Sequence, residues 1–129
     1  ILQNGYPLAE RIAAALRKIA PFQVHLFSLK IDKHSQDVGE PVIAPSLPAL
    51  QDKVVVLVDD VLNSGKTLIY ALKPFLRADI RKLRTVVLID RNHRRYPIAA
   101  DFVGLSLATT LQEHVQVTFQ GESAVAELS

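Results

Sequence analysis

The chain of 129 residues contains no cysteine. That removes disulfides, thiolate metal sites and cysteine nucleophiles from consideration, and it fits a reducing cytoplasm, the compartment expected here. No apolar run approaches the ~18–20 residues of a membrane-spanning helix, and the first residues lack the order of a signal peptide, so no membrane partner is expected. Charge of one sign barely dominates: 15 Lys and Arg against 13 Asp and Glu leave a formal net charge of +2. So small an excess does not by itself argue for nucleic acid. Internal repeats and low-complexity tracts are absent as well. With 49% hydrophobic and 22% charged residues, the composition is that of an ordinary globular protein. The length supports one domain over residues 1–129, with a core of its own.

The hydrophobic pattern alternates between helical and extended periods. Pro7 to about Ile19 reads as a helix, with Pro near its start, where the missing N–H costs nothing. Leu8, Ile12, Ala15, Leu16 and Ile19 fall on one face at helical spacing. Gln23–Leu29 alternates around Val24, Leu26 and Leu29 and reads as a strand. Lys30–Ala49 is polar and then Pro-rich, a long excursion of the kind that tends to be functional inside a compact domain. Lys53–Val58 reads as a central strand, Gly65–Arg77 as a helix, and Thr85–Ile89 and Asp101–Val103 as further strands. Val115–Phe119 reads as the last strand, followed by a frayed tail. This order implies an α/β fold built on a parallel sheet covered by helices.

The most informative segment is residues 54–67. Five apolar residues, Val54–Val58, run into Asp59-Asp60, then Val61-Leu62, then the small polar turn Asn63-Ser64-Gly65-Lys66-Thr67. Carboxylates at the C-terminal end of a buried strand stand where open α/β sheets bind ligands. The turn aims backbone N–H groups at an anion. Hydroxyl-binding acids beside an anion cradle suggest a phosphorylated sugar. A nucleotide-binding P-loop would need glycine at position 60, where Asp60 would instead face the polyphosphate with its own negative charge. A phosphoryl receiver would need a lysine at a later strand end, and no lysine follows Asp90. A plain strand end with a helix cap at Ser64 accounts for the acids but not for the whole turn.

With those alternatives set aside, the segment resembles the PRPP-binding signature of the type I phosphoribosyltransferases: an apolar strand, two acids, two apolar residues, and a small turn with Gly and Thr. The resemblance implies that Asp59 and Asp60 are the catalytic pair, holding the ribose hydroxyls of PRPP directly or through water on a Mg²⁺ ion, the expected cofactor. It implies that Asn63, Ser64, Gly65, Lys66 and Thr67 wrap the 5-phosphate through backbone amides and hydroxyls, with the Lys66 side chain turned to solvent. Gln3-Asn4-Gly5 stands where the family binds pyrophosphate, so Asn4 and Gly5 are expected to do so. Asn4 replaces the usual basic residue and offers a hydrogen bond without charge. The strand that feeds this loop in the family is expected to be missing, since the chain begins at Ile1. The excursion at 30–49 stands where the family has a loop that closes over the site and excludes water.

A second run, Asp90-Arg91-Asn92-His93-Arg94-Arg95-Tyr96-Pro97 followed by Ala100-Asp101-Phe102-Val103-Gly104, resembles the pyrimidine-operon attenuator / uracil phosphoribosyltransferase family. The likeness runs from about Gly5 to Phe119. It implies a small base-binding hood in which Phe102 stacks on the base and main chain near Val103 reads its edge, with Val61 and Thr109 also against the base. Arg91 is expected on the pyrophosphate side. Two departures speak against purines. Asp90 stands near the position where 6-oxopurine enzymes carry a lysine, and Asn63 replaces their aspartate and cannot accept a proton. The RNA-binding basic face of the same family is thinned at Ala99 and Leu105, which argues against RNA binding.

The expectation is therefore a type I phosphoribosyltransferase fold: a parallel twisted sheet flanked by helices, with a small hood. Its partners are PRPP and a nucleobase, foremost uracil, giving UMP and pyrophosphate. The alternative is a non-catalytic nucleotide or PRPP sensor that regulates pyrimidine gene expression. Membership of the superfamily implies a homodimer or higher homo-oligomer.

Overall fold

The computed structural model describes residues 5–19, 23–30, 42–44, 50–76, 79–107, 115–120 and 123–128. The first helix, α1, spans Tyr6–Ile19. Its buried face is narrower than the periodicity suggests. Ala9 and Ala13, one turn apart, are its buried residues, whereas Ala15 and Ile19 are exposed. Two alanines in the contact stripe let α1 lie close against the next major strand, and larger apolar side chains are left at its rim.

Residues 23–27 are not a strand. Only Ser28–Lys30 (β1) is extended, paired antiparallel with Val42–Ala44 (β2). A strand needs a neighbour to receive its backbone bonds. Upstream of β1 the Val24 carbonyl instead accepts a hydrogen bond from the Arg17 guanidinium, at 2.9 Å. Most of the Pro-rich excursion lies outside the described residues.

The main sheet has three strands: β3 (Val54–Leu62), β4 (Lys82–Asp90) and β5 (Phe102–Ser106), in the order β3-β4-β5 and parallel throughout. The connection from β3 to β4 runs through α2 (Lys66–Leu72) and a 3₁₀ turn over Lys73–Leu76. The helix is shorter than Gly65–Arg77 because Pro74 has no N–H to give to the carbonyl of Tyr70. That carbonyl accepts the N–H of Lys73, three residues on, and the backbone tightens into the 3₁₀ turn.

Leu57 and Leu62 of β3, Leu68 and Ala71 of α2, Phe75, Val87 of β4 and Leu29 of β1 form the core cluster. Val58, next to Leu57, is buried too. Neighbours on a strand point to opposite faces, so both faces of β3 are covered at this level. Each fully buried leucine here contributes about 1.5–3 kcal/mol of transfer free energy. The far end of the sheet is tied by backbone bonds from Asp52 to Asp79 and from Arg81 to Lys53. The Asp52–Arg81 ion pair at this end is exposed.

The 90–104 run, where the base-binding hood is expected, is not one continuous element. Its second half is β5, and every residue of β5 is exposed. The apolar stretch Phe102-Val103 pairs with Val86-Val87 because β4 offers it a parallel edge, which a short apolar run satisfies as well as it would a cap over a ligand. The tail is not frayed either: Ser123–Leu128 (β7) pairs antiparallel with Val115–Gln120 (β6) along its full length. Among the described residues, no helix is long and apolar enough to cross a membrane.

Candidate active site

β3 carries the acid pair inside the strand rather than beyond it, since pairing with β4 continues to Leu62. The paired rows run from Val54 to Asp59 and resume at Val61, skipping Asp60. At the skipped row the backbone serves the carboxylates. The N–H of Asp60 donates to Asp59 Oδ1 at 2.9 Å, and the N–H of Val61 donates to Asp60 Oδ1 at 2.8 Å. Each carboxylate is thus oriented by the amide that follows it. Asp59 is buried and Asp60 half-buried.

The start of α1 presses on this pair. A Cβ built on Gly5 would lie 2.7 Å from the Val58 carbonyl oxygen and 2.9 Å from Asp59 Cα. Glycine is the residue that lets the two backbones approach so closely. Gly5, expected at the pyrophosphate, therefore sits beside the acids. Asn4 lies outside the described residues.

Beyond Leu62 the chain turns at Asn63-Ser64-Gly65 into α2. Gly65 has φ of 89°, the left-handed region, which glycine adopts without penalty. The Ser64 hydroxyl oxygen accepts the N–H of Lys66 at 3.3 Å. The Ser64 carbonyl accepts the N–H groups of Arg95 and Tyr96, at 2.9 and 3.2 Å. The 91–98 segment, reached from the end of β4, therefore locks the turn from behind.

These elements enclose an open polar cleft of about 160 Å³. It is bordered by residues 59–65 with Thr67 and Leu68, and by Val115 from β6. Asp59, Asp60, Val61, Asn63, Ser64, Gly65 and Thr67 are thus brought together around one space. Lys66 is not among them; its ammonium lies 5.9 Å from the Tyr70 ring centroid, one helical turn along α2, and only its backbone faces the turn. Phe102 and Val103 do not border the cleft. Their rows, through Val86 and Val87, are level with Val58 and Asp59, but β4 intervenes, and two strand spacings put them about 10 Å from β3. Thr109 lies outside the described residues.

Arg91, expected on the pyrophosphate side, is buried and bonded to the turn. Its N–H donates to the Leu62 carbonyl at 3.1 Å, and its Nη1 donates to Asn63 Oδ1 at 2.9 Å. Leu62 and Leu68, beside the turn, also border the cleft, and Val115 is the distant residue that reading along the chain misses. It stands 48 residues beyond Thr67, and only the docking of β6 near β3 brings it in. No local signal marks it.

Among the described residues no three carboxylate, histidine or cysteine side chains converge on a metal. Two adjacent carboxylates suit Mg²⁺, which keeps several waters and is held by one or two carboxylates together with a ligand's phosphate oxygens.

Comparison with known proteins bears on the same span. Residues 1–121 match the model of the phosphoribosyl transferase domain. The bifunctional protein PyrR of Clostridium kluyveri is 37% identical over 91% of this chain and 70% of its own length. The PyrR protein of Chloroflexus aurantiacus is 39% identical over 99% of this chain and 74% of its own. Among solved structures, the hypoxanthine phosphoribosyltransferase of Trypanosoma cruzi superposes with a TM-score of 0.71 at 20% identity, covering 88% of this chain. That of Staphylococcus aureus superposes with a TM-score of 0.62 at 21% identity, covering 82% of this chain. This chain spans 61% and 59% of the length of those two, and at such identity they speak for the fold alone.

Proposed function

The chain belongs to the phosphoribosyl transferase domain family, and on that premise we propose that it transfers the phosphoribosyl group of PRPP to a nucleobase, uracil foremost, releasing pyrophosphate. The observation that carries this reading is the meeting of two amide-oriented carboxylates and a left-handed glycine turn in one cleft. Asp59 and Asp60 hold the ribose hydroxyls. The amides of residues 64–67 and the hydroxyls of Ser64 and Thr67 take the 5-phosphate. At seven residues α2 adds a dipole at most, so the turn's own donors supply the binding. The backbone of Gly5, pressed on Asp59, faces the leaving pyrophosphate. Asp59 and Asp60 would hold Mg²⁺, which would supply positive charge beside the phosphate oxygens of PRPP.

Catalysis of this kind is positioning and electrostatics rather than proton transfer by a dedicated base. Asn63 and Asp90, in place of the residues expected for 6-oxopurines, support a pyrimidine. Val61 and Val115 supply apolar surface for the base. Catalytic protein and homo-oligomer go together in this reading, as membership of the superfamily implies.

Relatives called bifunctional favour a regulatory role beside or instead of the enzyme. A pyrophosphate-release screen across nucleobases, with PRPP and Mg²⁺, separates the readings. Uracil-dependent release supports the transferase. Binding of PRPP without release for any base leaves the sensor. If Asp60→Asn does not weaken PRPP binding, both readings fail, because each relies on the acid pair.

A further inference from the structure

We propose, resting on the reading of the 63–67 turn as the cradle for the 5-phosphate, that the backbone N–H groups of Arg95 and Tyr96 are its positioning groups. By holding the Ser64 carbonyl they aim the N–H of Gly65 into the cleft. The Ser64 carbonyl oxygen accepts Arg95 N–H at 2.9 Å and Tyr96 N–H at 3.2 Å. A carbonyl oxygen has two lone pairs, and both are taken here. A peptide bond is planar and, before a residue other than proline, trans. The Gly65 N–H therefore points opposite to the Ser64 C=O, away from the 91–98 segment. Ser64 and Gly65 border the cleft and none of residues 91–98 does, so the side away from the segment is the cleft side. Ile98 occupies the other side of the same glycine, where a Cβ on Gly65 would collide with its Cγ2.

Among the described residues the Gly65 N–H has no partner. A donor left unpaired by the chain, at a residue that borders a polar cleft, is left for a ligand. A flipped 64–65 peptide would turn the negative end of its dipole toward the phosphate and would strip two amides of their acceptor. The 91–98 segment forbids that flip without touching the ligand.

Backbone ester exchange tests this, since it deletes one N–H and keeps the side chain. Cell-free suppression places lactic acid at position 95, compared with Arg95→Ala so that the side chain drops out, and hydroxyphenyllactic acid at position 96, compared with wild type. Calorimetric titration with UMP and with ribose 5-phosphate reads the phosphate site, and chemical unfolding reads stability. Each single exchange leaves Ser64 one donor and should weaken both ligands by about threefold. The double exchange releases the carbonyl and should weaken both by about tenfold. A control exchange, lactic acid at position 81 against Arg81→Ala, deletes the N–H that bonds the Lys53 carbonyl at 2.9 Å at the far end of the sheet. It should cost comparable stability and leave both affinities within about 1.5-fold.

Unchanged affinity after the double exchange would overturn the proposal. Equal weakening by the control exchange would overturn it too, because the effect would then be one of stability alone. So would weakening of UMP without weakening of ribose 5-phosphate, which would place the contact on the base. If the doubly exchanged protein does not fold, the single exchange at position 96, which breaks the longer bond, decides by the same comparison. If the wild-type protein binds neither ligand, the nucleotide-site reading itself fails before any exchange is made.

Discussion

Gly5, at the entry to α1, lies against the backbone of Asp59, so close that a methyl group on Gly5 would stand 2.9 Å from Asp59 Cα. The obstacle is backbone, which cannot swing aside as a side chain does. Gly5→Ala is therefore expected to destabilise the protein by about 1–3 kcal/mol, the usual range for overpacking. Denaturant unfolding measures it. Because the strand pushed on carries the acid pair, PRPP affinity should fall in parallel.

Gly65→Ala meets two separate obstacles, the positive φ and the Ile98 side chain packed over the turn. The backbone part alone is expected to cost about 1–2 kcal/mol. Adding Ile98→Ala should relieve the collision and leave that backbone part. A double-mutant cycle by thermal or chemical unfolding reads the difference as a coupling between the two sites.

Asp101 clips the start of β5 to β4. Its carboxylate accepts the Thr85 N–H at 2.8 Å and the Thr85 hydroxyl at 3.1 Å, and its own N–H donates to the same hydroxyl oxygen at 2.9 Å. The backbone bond from Thr85 is the main cause holding its pKa below the ordinary carboxylate value; desolvation opposes it, and the Thr85 hydroxyl and Arg84 assist. A depressed folded-state pKa means that the folded protein binds the proton less readily than the unfolded chain. The stabilisation is then complete above the unfolded pKa and is lost as pH falls through the folded one. Unfolding curves of wild type and Asp101→Asn should accordingly differ at neutral pH and converge in acid.

Lys66 is the residue of the 63–67 turn expected to matter least for the ligand, because its ammonium rests over Tyr70. Lys66→Ala should change the Kd for PRPP by less than about threefold, under ~0.7 kcal/mol. The lost cation–π contact should lower stability by about 0.5–1 kcal/mol. Ser64→Ala and Thr67→Val, which remove hydroxyls bordering the cleft, should weaken PRPP more than Lys66→Ala does in the same titration.

The legible part of this protein is the part whose chemistry is local. Asp59-Asp60 next to Ser64-Gly65-Lys66-Thr67 points to the proposed sugar-phosphate site because the residue types needed there are adjacent along the chain. The parallel sheet, too, was readable from the apolar runs at 54–58 and 85–89. Phe102 shows the limit. An aromatic on a short extended run looks the same whether it caps a base or lines a sheet edge, and only the tertiary structure shows that it pairs with Val86 along the parallel edge of β4.

The sequence by itself determined the acid pair, the glycine turn and the class of fold, since these depend on side-chain chemistry and hydrophobic period. Tertiary structure alone carried β3 on to Leu62, set Gly5 on Asp59, brought Val115 to the cleft and joined a buried Arg91 to Asn63. The physical reason is common to all four. Backbone hydrogen bonds between strands, and close approach of elements far apart along the chain, depend on which neighbour arrives, and that is settled only when the whole core packs.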